Sequence, residues 1–524
     1  MPEPGARARA YHESTKHSLE RLRTARHMLD WENQPLPFKI YPGLEGRPLA
    51  RVLVPGRTSA IRAMLDPPSP FRAGELPSTD AVARILQASL GIVRRRELDD
   101  GRIHYFRAAP CTGALYHVDA YLVCGDLPDV EAGVYHFGPQ DAGLRRLRSG
   151  DCRSVLAAAT GGEESVIGAP LVLVLASTYW RNAWKYQARA YRHVFWDGGT
   201  IVAHVVAQAA ADGWPVRVVA GFADEPVERL CALDPRREGV IALLPIGSGA
   251  VAASPREPER IELDSGAAPD SGTEPERIEL ATEPLSRHEI DYPEIREAHS
   301  AGTLSAGADA RRWREMAPAA VAERGGGLPL PPANDPEERP LEEVVVRRGS
   351  SRRFRTEPIS LAALATILRC AAAPLSADYR SDPAEPLVDL FIIALAVDGL
   401  RPGRYRWRPR AGELELLSPA AERRDAGHLD LGQELAADAA ANVYAIADLD
   451  RVLGALRDRG YRAAQLDGGI SGGRAYLAAY ALGLGATGLT FFDDDVAEYF
   501  GLDPRRWGVM FLTAVGVPAK PLLR

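Results

Sequence analysis

The sequence contains a long internal repeat, which restricts the fold to one built from two similar units. Its clearest blocks are residues 189–192 with 197–199, which recur at 459–462 with 467–469, and residues 233–240, which recur at 502–509. The offset between copies is 270 residues for the first blocks and 269 for the last. This period is too long for a solenoid repeat and matches a domain of ordinary size. The sequence therefore predicts a duplicated domain.

Composition narrows the class of protein. The chain has 524 residues, a formal net charge of −7 and a hydrophobic fraction of 46%, which is typical of a globular protein with more than one domain. Since nucleic acids and anionic membranes favour basic surfaces, neither is an expected partner.

Five cysteines without metal-ligand spacing favour a reducing compartment over a disulfide framework or a zinc site, and we expect no metal. The N-terminal residues have no apolar signal region, and no apolar run is long enough to span a membrane, so a cytoplasmic location is expected.

Four segments follow from these patterns. Residues 1–80 are an extension expected to pack onto the first domain, residues 81–248 and 339–524 are the two copies, and residues 249–338 form a Pro-, Glu- and Gly-rich connection. Within the connection, E-P-E-R-I-E-L occurs at 257–263 and again at 274–280, and this low-complexity part is expected to be a mobile linker. Its second half, which contains Trp313, is expected to pack on a domain.

The pattern of apolar residues predicts a mixed α+β order. Helices are expected at 81–90, 201–211 and 470–484, and strands at 118–124, 170–175 and 216–222. Ser360 is a suitable N-cap for a further helix.

One short segment of the second copy combines basic and hydroxyl side chains. Arg348, Ser350 and Arg352 alternate just before the helix that Ser360 begins. Two guanidinium groups and a hydroxyl on one side of an extended segment could bind an anion or a polar ring edge. Four arginines in seven residues are also typical of a solvated surface, and the local pattern leaves both interpretations open.

Several motifs in order along the chain carry a family resemblance. They are Y-H-E-S-T-K-H and D-W-E-N-Q-P near the start, A-P-C-T-G-A-L-Y at 109–116, W-K-Y at 184–186, Y-P-E-I at 292–295, R-R-G-S-S-R-R-F at 347–354 and A-T-G-L-T-F-F-D-D-D at 486–495. Together they resemble the FMN-dependent nitroreductase superfamily, in particular its two-lobed SagB-type dehydrogenases, which oxidise thiazolines and oxazolines to azoles in ribosomal peptide natural products. The resemblance implies tandem nitroreductase-like domains that form an intrachain pseudo-dimer, with FMN at the interface.

The resemblance also implies roles for individual residues. Arg348, Ser350 and Arg352 would contact the FMN phosphate or the polar edge of its ring, and Thr490 and Phe491 would lie along the flavin. The opposite wall would be the family's P-S-x-G loop, represented here by Pro110, Cys111, Thr112 and Gly113. Cys111 replaces the usual serine. Lys520 and Arg524 are weaker candidates for the phosphate.

Differences between the copies predict where the chemistry lies. The first copy lacks an R-x-S-x-R segment and the second lacks a P-S-x-G loop, so one working flavin site and one degenerate site are expected. Lys185 and Tyr186 are replaced in the second copy by Ala455 and Leu456. Arg189, Arg192 and Asp197, which both copies share, are expected to be scaffold.

SagB-type enzymes use a Lys-Tyr pair at this position, and azole formation requires a base. We expect the Lys185 ammonium to lower the pKa of Tyr186 towards a phenolate. Adjacent residues within a helix point in different directions, so both can act only at a helix end or in a loop. The alternative is an aromatic packing face of Trp180, Trp184, Tyr186 and Tyr191 with Lys185 in solvent.

The sequence thus favours an FMN-dependent azoline dehydrogenase acting on a peptide or small-molecule natural product, with a cyclodehydratase complex as partner. A nitroreductase-fold flavin enzyme with another small-molecule substrate is the first alternative, since the fold hosts many reactions. A flavin-free scaffold subunit of a modification complex is the second. Oligomeric state is left open.

Overall fold

The structure is a computed structural model that describes residues 3–50, 53–66, 72, 74–99, 101, 103–249, 275–321, 323 and 325–520. The repeat at 257–263, the start of its second copy at Glu274, and Arg524 lie outside the described residues. Within the described ranges, no helix combines the length and apolar character needed to cross a membrane.

The first half of the chain alternates helices and strands. Its helices are α1 (Ala6–Ser14), α2 (Leu19–Thr24), α3 (Ala60–Leu65), α4 (Thr79–Ser89), α5 (Arg153–Ala159), α6 (Glu164–Ile167), α7 (Tyr179–Tyr186), α8 (Ala190–Ala211) and α9 (Asp224–Leu230). Its strands are β1 (Gly46–Pro48), β2 (Ile92–Glu97), β3 (Ile103–Arg107), β4 (Val118–Cys124), β5 (Gly133–Gly138), β6 (Gly143–Ser149), β7 (Leu171–Thr178) and β8 (Glu238–Ile246).

The second half repeats this plan after a helical connection. Its helices are α10 (Pro293–Ala301), α11 (Gly307–Glu315), α12 (Leu341–Arg347), α13 (Leu361–Ala371), α14 (Arg423–Leu429), α15 (Glu434–Asp438), α16 (Leu449–Ala481) and α17 (Asp493–Tyr499). Its strands are β9 (Leu328–Pro329), β10 (Phe354–Arg355), β11 (Ile359–Ser360), β12 (Asp389–Ala394), β13 (Val397–Asp398), β14 (Gly403–Arg408), β15 (Glu413–Ser418), β16 (Ala441–Asp448), β17 (Gly485–Gly488) and β18 (Trp507–Pro518).

Each half contains one large antiparallel sheet and a separate two-stranded pair, β2-β3 in the first half and β11-β13 in the second, and the expected α+β pseudo-dimer of two similar lobes is confirmed. The first sheet has the order β1-β6-β5-β4-β7-β8, and the second has the order β10-β18-β16-β12-β14-β15-β9, with β17 also paired to β18. The strand expected at 118–124 matches β4, and Ser360 caps α13 by accepting a hydrogen bond from the Ala363 amide at 3.1 Å.

The strand expected at 216–222 is wrong. Val216 and Val219 make only isolated bridges to β8. Two other main-chain amides bond to the second lobe instead: the Val218 amide donates to the Ser376 carbonyl at 2.9 Å, and the Ala220 amide donates to the Asp378 carboxylate at 2.8 Å. Contacts with the other lobe therefore replace the regular ladder that the valines favour.

The lobes meet where α8 crosses α16. Gly199 and Gly469 occupy the crossing, and a Cβ atom on Gly199 would lie 2.5 Å from the Leu466 carbonyl oxygen and 2.6 Å from the Ile470 nitrogen. Only glycine permits main chains to approach so closely. The repeated D-G-G motif thus marks the axis of the pseudo-dimer.

Reciprocal ion pairs flank the crossing. Arg189 and Arg192 of the first lobe bind Asp493 of the second, at 3.0 and 2.6 Å. At the equivalent place, Arg459 and Arg462 bind Asp224 at 2.6 and 2.8 Å. All six side chains are buried, so the expectation that these arginines are scaffold is confirmed.

Two arms, residues 6–17 and 293–304, cover the ion pairs in equivalent ways. His12 of the first arm lies 3.1 Å from the Tyr461 hydroxyl, and His299 of the second lies 3.3 Å from the Tyr191 hydroxyl. The first arm donates the His17 amide to Asp493 and also donates the Ala8 amide to Asp458. The N-terminal extension therefore contacts the second lobe as well as the first, on which it was expected to pack.

Replacement of Gly199 by alanine should destabilise the protein, because the new methyl group would force the main chains of α8 and α16 apart. We expect a loss of about 2 to 3 kcal/mol in unfolding free energy, measured by denaturant titration. Gly454→Ala in α16 is the matched control, since a Cβ there has no neighbour within 4 Å and helix propensity predicts a gain of up to about 1 kcal/mol. Equal stability of the two variants would contradict the close crossing.

Candidate active site

The loop of Pro110 to Gly113 follows β3 and is held by Asp197 of α8. The Thr112 amide donates to Asp197 Oδ2 at 2.9 Å, and the Thr112 hydroxyl donates to Oδ1 at 2.7 Å. Thr200 of α8 also donates to the Pro110 carbonyl at 2.7 Å. Gly113 has φ 64°, a left-handed conformation that favours glycine. The shared Asp197 thus fixes a loop that the second lobe lacks.

Cys111 lies within the same network. Its thiol donates to Asp197 Oδ2 at 3.1 Å, and the Tyr116 amide donates to its sulfur at 3.1 Å. Burial, and then the charge of Asp197, raise the pKa of the thiol well above its usual range. Cys111 is therefore a neutral thiol whose proton is already used within the loop, unlike a serine hydroxyl free to bond elsewhere.

His117 completes this network, although the sequence identified no partner for it. Its Nε2 lies 2.8 Å from Asp197, and its Nδ1 lies 2.8 Å from the Ser177 hydroxyl of β7. The residues are far apart in sequence, so no local pattern could have revealed the contact. Cys111, His117 and Asp197 could in principle hold a metal ion, but their donor atoms are engaged with one another and with the loop.

Lys185 and Tyr186 are the last two residues of helix α7. At a helix end, two adjacent side chains can act on the same target, as their proposed joint role requires. The next residue, Gln187, has φ 51°, and its counterpart Arg457 has φ 54°, so both copies break the helix at the same point. A Cβ atom on Gly113 would lie 2.9 Å from the Tyr186 hydroxyl. Tyr186 is therefore packed directly over the Asp197-held loop.

The four aromatic residues of the expected packing face contact different partners, and Tyr191 packs against Tyr11 and Phe195. Trp180 and Trp184 are buried, and their indole nitrogens donate to Ser286 and to the Asp30 carbonyl. Tyr186 is half-buried, with its ring edge-on to His193 at 4.6 Å. The Lys185 ammonium lies 5.3 Å from the Tyr186 ring centroid, in a cation–π contact, so Lys185 is not simply a solvent-facing residue of that face.

The pKa values of Lys185 and Tyr186 are shifted in directions other than the sequence predicted. Burial raises the pKa of Tyr186, with the charges of Asp197 and Cys111 adding to the effect and Arg352 opposing it. Burial, followed by the repulsion of Arg352, lowers the pKa of Lys185. The expectation that Lys185 would lower the pKa of Tyr186 towards a phenolate is wrong, because the ammonium faces the ring and desolvation dominates.

The second lobe contributes its R-x-S-x-R segment. Arg348 is buried, and its guanidinium donates to the carbonyls of Ala108 at 2.6 Å, Arg107 at 2.8 Å and Gly349 at 3.0 Å. It therefore joins the segment to the end of β3 in the first lobe. Ser350 is nearly unbonded, with its hydroxyl 3.5 Å from that of Tyr476.

Arg352 is exposed and lies close enough to Tyr186 and Lys185 to influence both pKa values. It forms no ion pair with any carboxylate in the described part of the chain. The predicted cofactor arginine and the predicted catalytic pair, which come from opposite lobes, are thus neighbours.

Thr490 and Phe491 follow β17 and differ in accessibility. The Thr490 hydroxyl is buried and has no hydrogen-bond partner among the described residues. Phe491 is fully buried, with its ring 5.8 Å from that of Trp196 and 5.5 Å from the Arg189 guanidinium. Thr490 therefore offers an unpaired hydroxyl, whereas the Phe491 ring is packed inside the protein against Trp196 and Arg189.

The equivalent place in the other half is filled by the chain itself. Gly221 and Phe222 correspond to Thr490 and Phe491 at the offset of 269 residues. The Gly221 amide donates to Asp378 at 2.8 Å, and a Cβ on Gly221 would lie 2.8 Å from the Trp313 ring. Trp313 of α11 also donates its indole proton to the carbonyl of Leu456, the counterpart of Tyr186. The pseudo-symmetric pocket is thus occupied by Trp313 and Asp378.

Comparison with known proteins agrees with this architecture. The Nitroreductase family model matches residues 70–248 and 345–517, so the chain belongs to the nitroreductase family, whose members are oxidoreductases. A crystal structure of a protein from Anabaena variabilis ATCC 29413, named as a nitroreductase, aligns with a TM-score of 0.73 and 26% identity over 98% of this chain and 100% of that one. The expected family and tandem fold are therefore confirmed.

Two curated relatives match shorter regions. MJ1384 of Methanocaldococcus jannaschii, named as a nitroreductase, is 26% identical over 166 residues, which are 32% of this chain and 78% of the relative. The microcin B17-processing protein McbC of Escherichia coli is 29% identical over 135 residues, which are 25% of this chain and 50% of McbC. The match to McbC thus spans only half the length of that relative.

The residues at the interface fit the flavin mononucleotide that the family resemblance implies. A phosphate needs a cation without a competing carboxylate, which Arg352 provides. A polar ring edge needs donors and acceptors that the protein leaves unpaired, and the buried Thr490 hydroxyl is one. Ser350, Arg352 and Thr490 are the residues that would hold the cofactor, whereas Arg348 has three of its donor groups on protein carbonyls already.

Proposed function

We propose that the protein is an FMN-dependent dehydrogenase that oxidises an azoline ring to an azole in a peptide natural product. The observation that carries the proposal is the meeting of Lys185 and Tyr186, from the first lobe, with Arg352, from the second, at the one interfacial place that Trp313 and Asp378 do not fill. An amine, a phenol hydroxyl and a cation converge there, which suits proton removal beside a bound anionic cofactor.

The substrate class is proposed from the relative McbC, which is named for the processing of microcin B17. An azoline forms by loss of water from a cysteine or serine side chain and the preceding amide. A cyclodehydratase must therefore act before this protein, and we propose it as a partner in one modification complex.

Lys185 is the better candidate for the base. Removal of the ring proton requires an unprotonated acceptor near neutral pH, and the lowered pKa of Lys185 increases the fraction of unprotonated amine. The Lys185 amine would accept the proton from the ring carbon. Bound FMN would supply the hydride acceptor for the second hydrogen.

Tyr186 is better suited to donate a hydrogen bond than to accept a proton. Its raised pKa keeps the hydroxyl protonated, and its position over Gly113 fixes it at the lobe interface. The tyrosine would orient the azoline so that its ring proton faces Lys185.

Incubation of the FMN-loaded protein with a synthetic thiazoline peptide should give loss of about two mass units by mass spectrometry, since oxidation removes a proton and a hydride. Turnover of a nitroarene or quinone with no change in the thiazoline peptide would favour a different small-molecule substrate. A colourless protein that binds no added FMN would instead favour the flavin-free scaffold role.

Lys185→Ala and Tyr186→Phe should each lower kcat by about 100-fold or more while FMN stays bound, since a positioned base contributes about that much. Lys185→Arg is the matched variant: it keeps the charge but cannot accept a proton, so it should be as inactive as Lys185→Ala. Substantial activity in Lys185→Arg would contradict the base assignment.

The pH dependence tests the same role. A lowered pKa means that the amine is neutral above that pKa and charged below it, so kcat/KM should fall as pH decreases through it. The residual activity of Tyr186→Phe should still fall as pH decreases, whereas that of Lys185→Ala should not. The same fall in kcat/KM at low pH in Lys185→Ala would mean that another group is responsible for it.

Arg352→Ala should weaken FMN retention, whereas Arg353→Ala should not. Both side chains are exposed and lack carboxylate partners in the described ranges, but Arg352 alone influences Lys185 and Tyr186. Loss of one exposed charge-assisted bond predicts about tenfold weaker binding. FMN released by denaturation gives the stoichiometry, which should be one per chain, and equal loss in both variants would contradict the role of Arg352.

A further inference from the structure

A hairpin of β2 and β3 distinguishes the first lobe from the second. It lies between α4 and the Pro110–Gly113 loop. In the second lobe, the stretch from α13 to β12, which the structure describes in full, contains no hairpin. In a duplicated protein, an element kept only beside the open interfacial site is a candidate for function at that site.

The two faces of the hairpin differ in what they contact. Since side chains alternate along a strand, Arg95 and Tyr105 share one face, and Tyr105 packs on Phe38 of the N-terminal extension with ring centroids 5.0 Å apart. Arg95 also donates to the Gln140 carbonyl at 3.2 Å. This face attaches the hairpin to the body of the lobe.

The opposite face, which we call the arginine face, consists of Arg94, Arg96, His104 and Phe106. Arg94 pairs in register with Phe106 and places its guanidinium 4.0 Å from the ring centroid, while Arg96 pairs with His104. His104 and Phe106 lie edge to face at 4.7 Å. The ring below Arg94 holds the guanidinium in place, which reduces the entropy lost when it binds a ligand.

The arginine face borders the candidate active site. Arg348 donates to the carbonyls of Arg107 and Ala108 at the end of β3, and α12, which leads into the R-x-S-x-R segment, packs on β2. Arg352, Arg96 and Arg94 all act on His104 and, after burial, lower its pKa. The face therefore opens towards the same space as Arg352.

These cations lack carboxylate partners in the described part of the chain. Across the residues that the structure describes, Arg94, Arg96, Arg352 and Lys185 form no ion pair. Clustered like charges are unfavourable without an anion between them. In a chain whose formal net charge is −7, such a cluster at the site marks a place for a negatively charged ligand.

We propose that Arg94 and Arg96 bind carboxylates of an acidic segment in the peptide substrate, next to the ring that is oxidised. The inference rests on the proposed function for its choice of a peptide. Guanidinium groups pair with carboxylates in bidentate fashion. A nucleic acid fits less well, because the chain is acidic overall and Arg94 covers the ring on which a base would stack.

The test uses the full-length protein with bound FMN and two fluorescein-labelled synthetic peptides, one with a run of glutamates and one with glutamines in their place. Fluorescence anisotropy should show at least about tenfold tighter binding of the glutamate peptide, weakening as salt rises. The variant Arg94→Ala/Arg96→Ala should lose about tenfold in affinity. Arg95→Ala, on the attached face, is the matched control and should bind normally.

A charge reversal separates lost recognition from lost folding. Arg94→Glu/Arg96→Glu should bind a lysine version of the peptide better than the glutamate version while retaining FMN at the wild-type stoichiometry, which an unfolded protein could not do. Equal binding of glutamate and glutamine peptides, or equal losses in the Arg95→Ala control, would overturn the proposal. So would tighter binding of a single-stranded oligonucleotide, or loss of FMN from Arg94→Ala/Arg96→Ala, which would assign the cations to other anions.

The outcome is independent of the oxidation assay. If the glutamate peptide binds as expected and thiazoline peptides are not oxidised, the proposed function fails and the acidic-peptide site stands. If thiazoline peptides are oxidised with no preference for a neighbouring acidic run, the acidic-peptide site fails and the proposed function stands.

Discussion

The buried arginine–aspartate pairs determine how the two lobes meet. Each aspartate, Asp224 or Asp493, receives two guanidinium groups from the opposite lobe. Removing these charges from water is costly, and hydrogen bonds to the remaining donors reduce that cost. The arms provide several of them: Arg192 also donates to the His12 carbonyl at 2.6 Å and to the Thr15 hydroxyl at 3.0 Å. Because these bonds are directional, they fix the register of α8 on α16, which small side chains alone would not.

A symmetric scaffold of this kind permits the two interfacial pockets to diverge. The crossing glycines, the ion pairs and the broken helices are kept in both halves, so the stability of the interface does not depend on what either pocket contains. One pocket received Trp313 from the connection and Asp378 from the second lobe, and burial raises the pKa of that aspartate to about 6. The other kept a loop, an exposed arginine and an unpaired hydroxyl. The two pockets therefore differ in the polar groups that they leave unpaired.

The sequence predicted what depends on local pattern and on comparison of the two copies. The two lobes and the D-G-G motif that both share were visible as repeated blocks of sequence. The helix that Ser360 begins was predictable because serine is a preferred N-cap residue. The equivalence of the two arms was not predictable, because His12 and His299 are offset by 287 residues, which differs from the offset of the lobes, and little else around them is shared. The valines at 216–219 favoured a strand, but their hydrogen bonds go to the other lobe, which a local pattern cannot show. His117 was missed for the same reason.

The pKa values at the candidate site show a further limit of sequence reasoning. Adjacency of Lys185 and Tyr186 suggested that the ammonium would stabilise a phenolate. In the structure, the carboxylate that fixes the loop, Asp197, is also the largest charge acting on Tyr186, and it adds to desolvation in keeping the hydroxyl protonated. Arg352 opposes that effect on Tyr186 and at the same time favours the neutral amine of Lys185. Asp197 of the first lobe and Arg352 of the second thus shift the pKa values of Tyr186 and Lys185 in opposite directions, and the effect of Arg352 requires both lobes to be assembled.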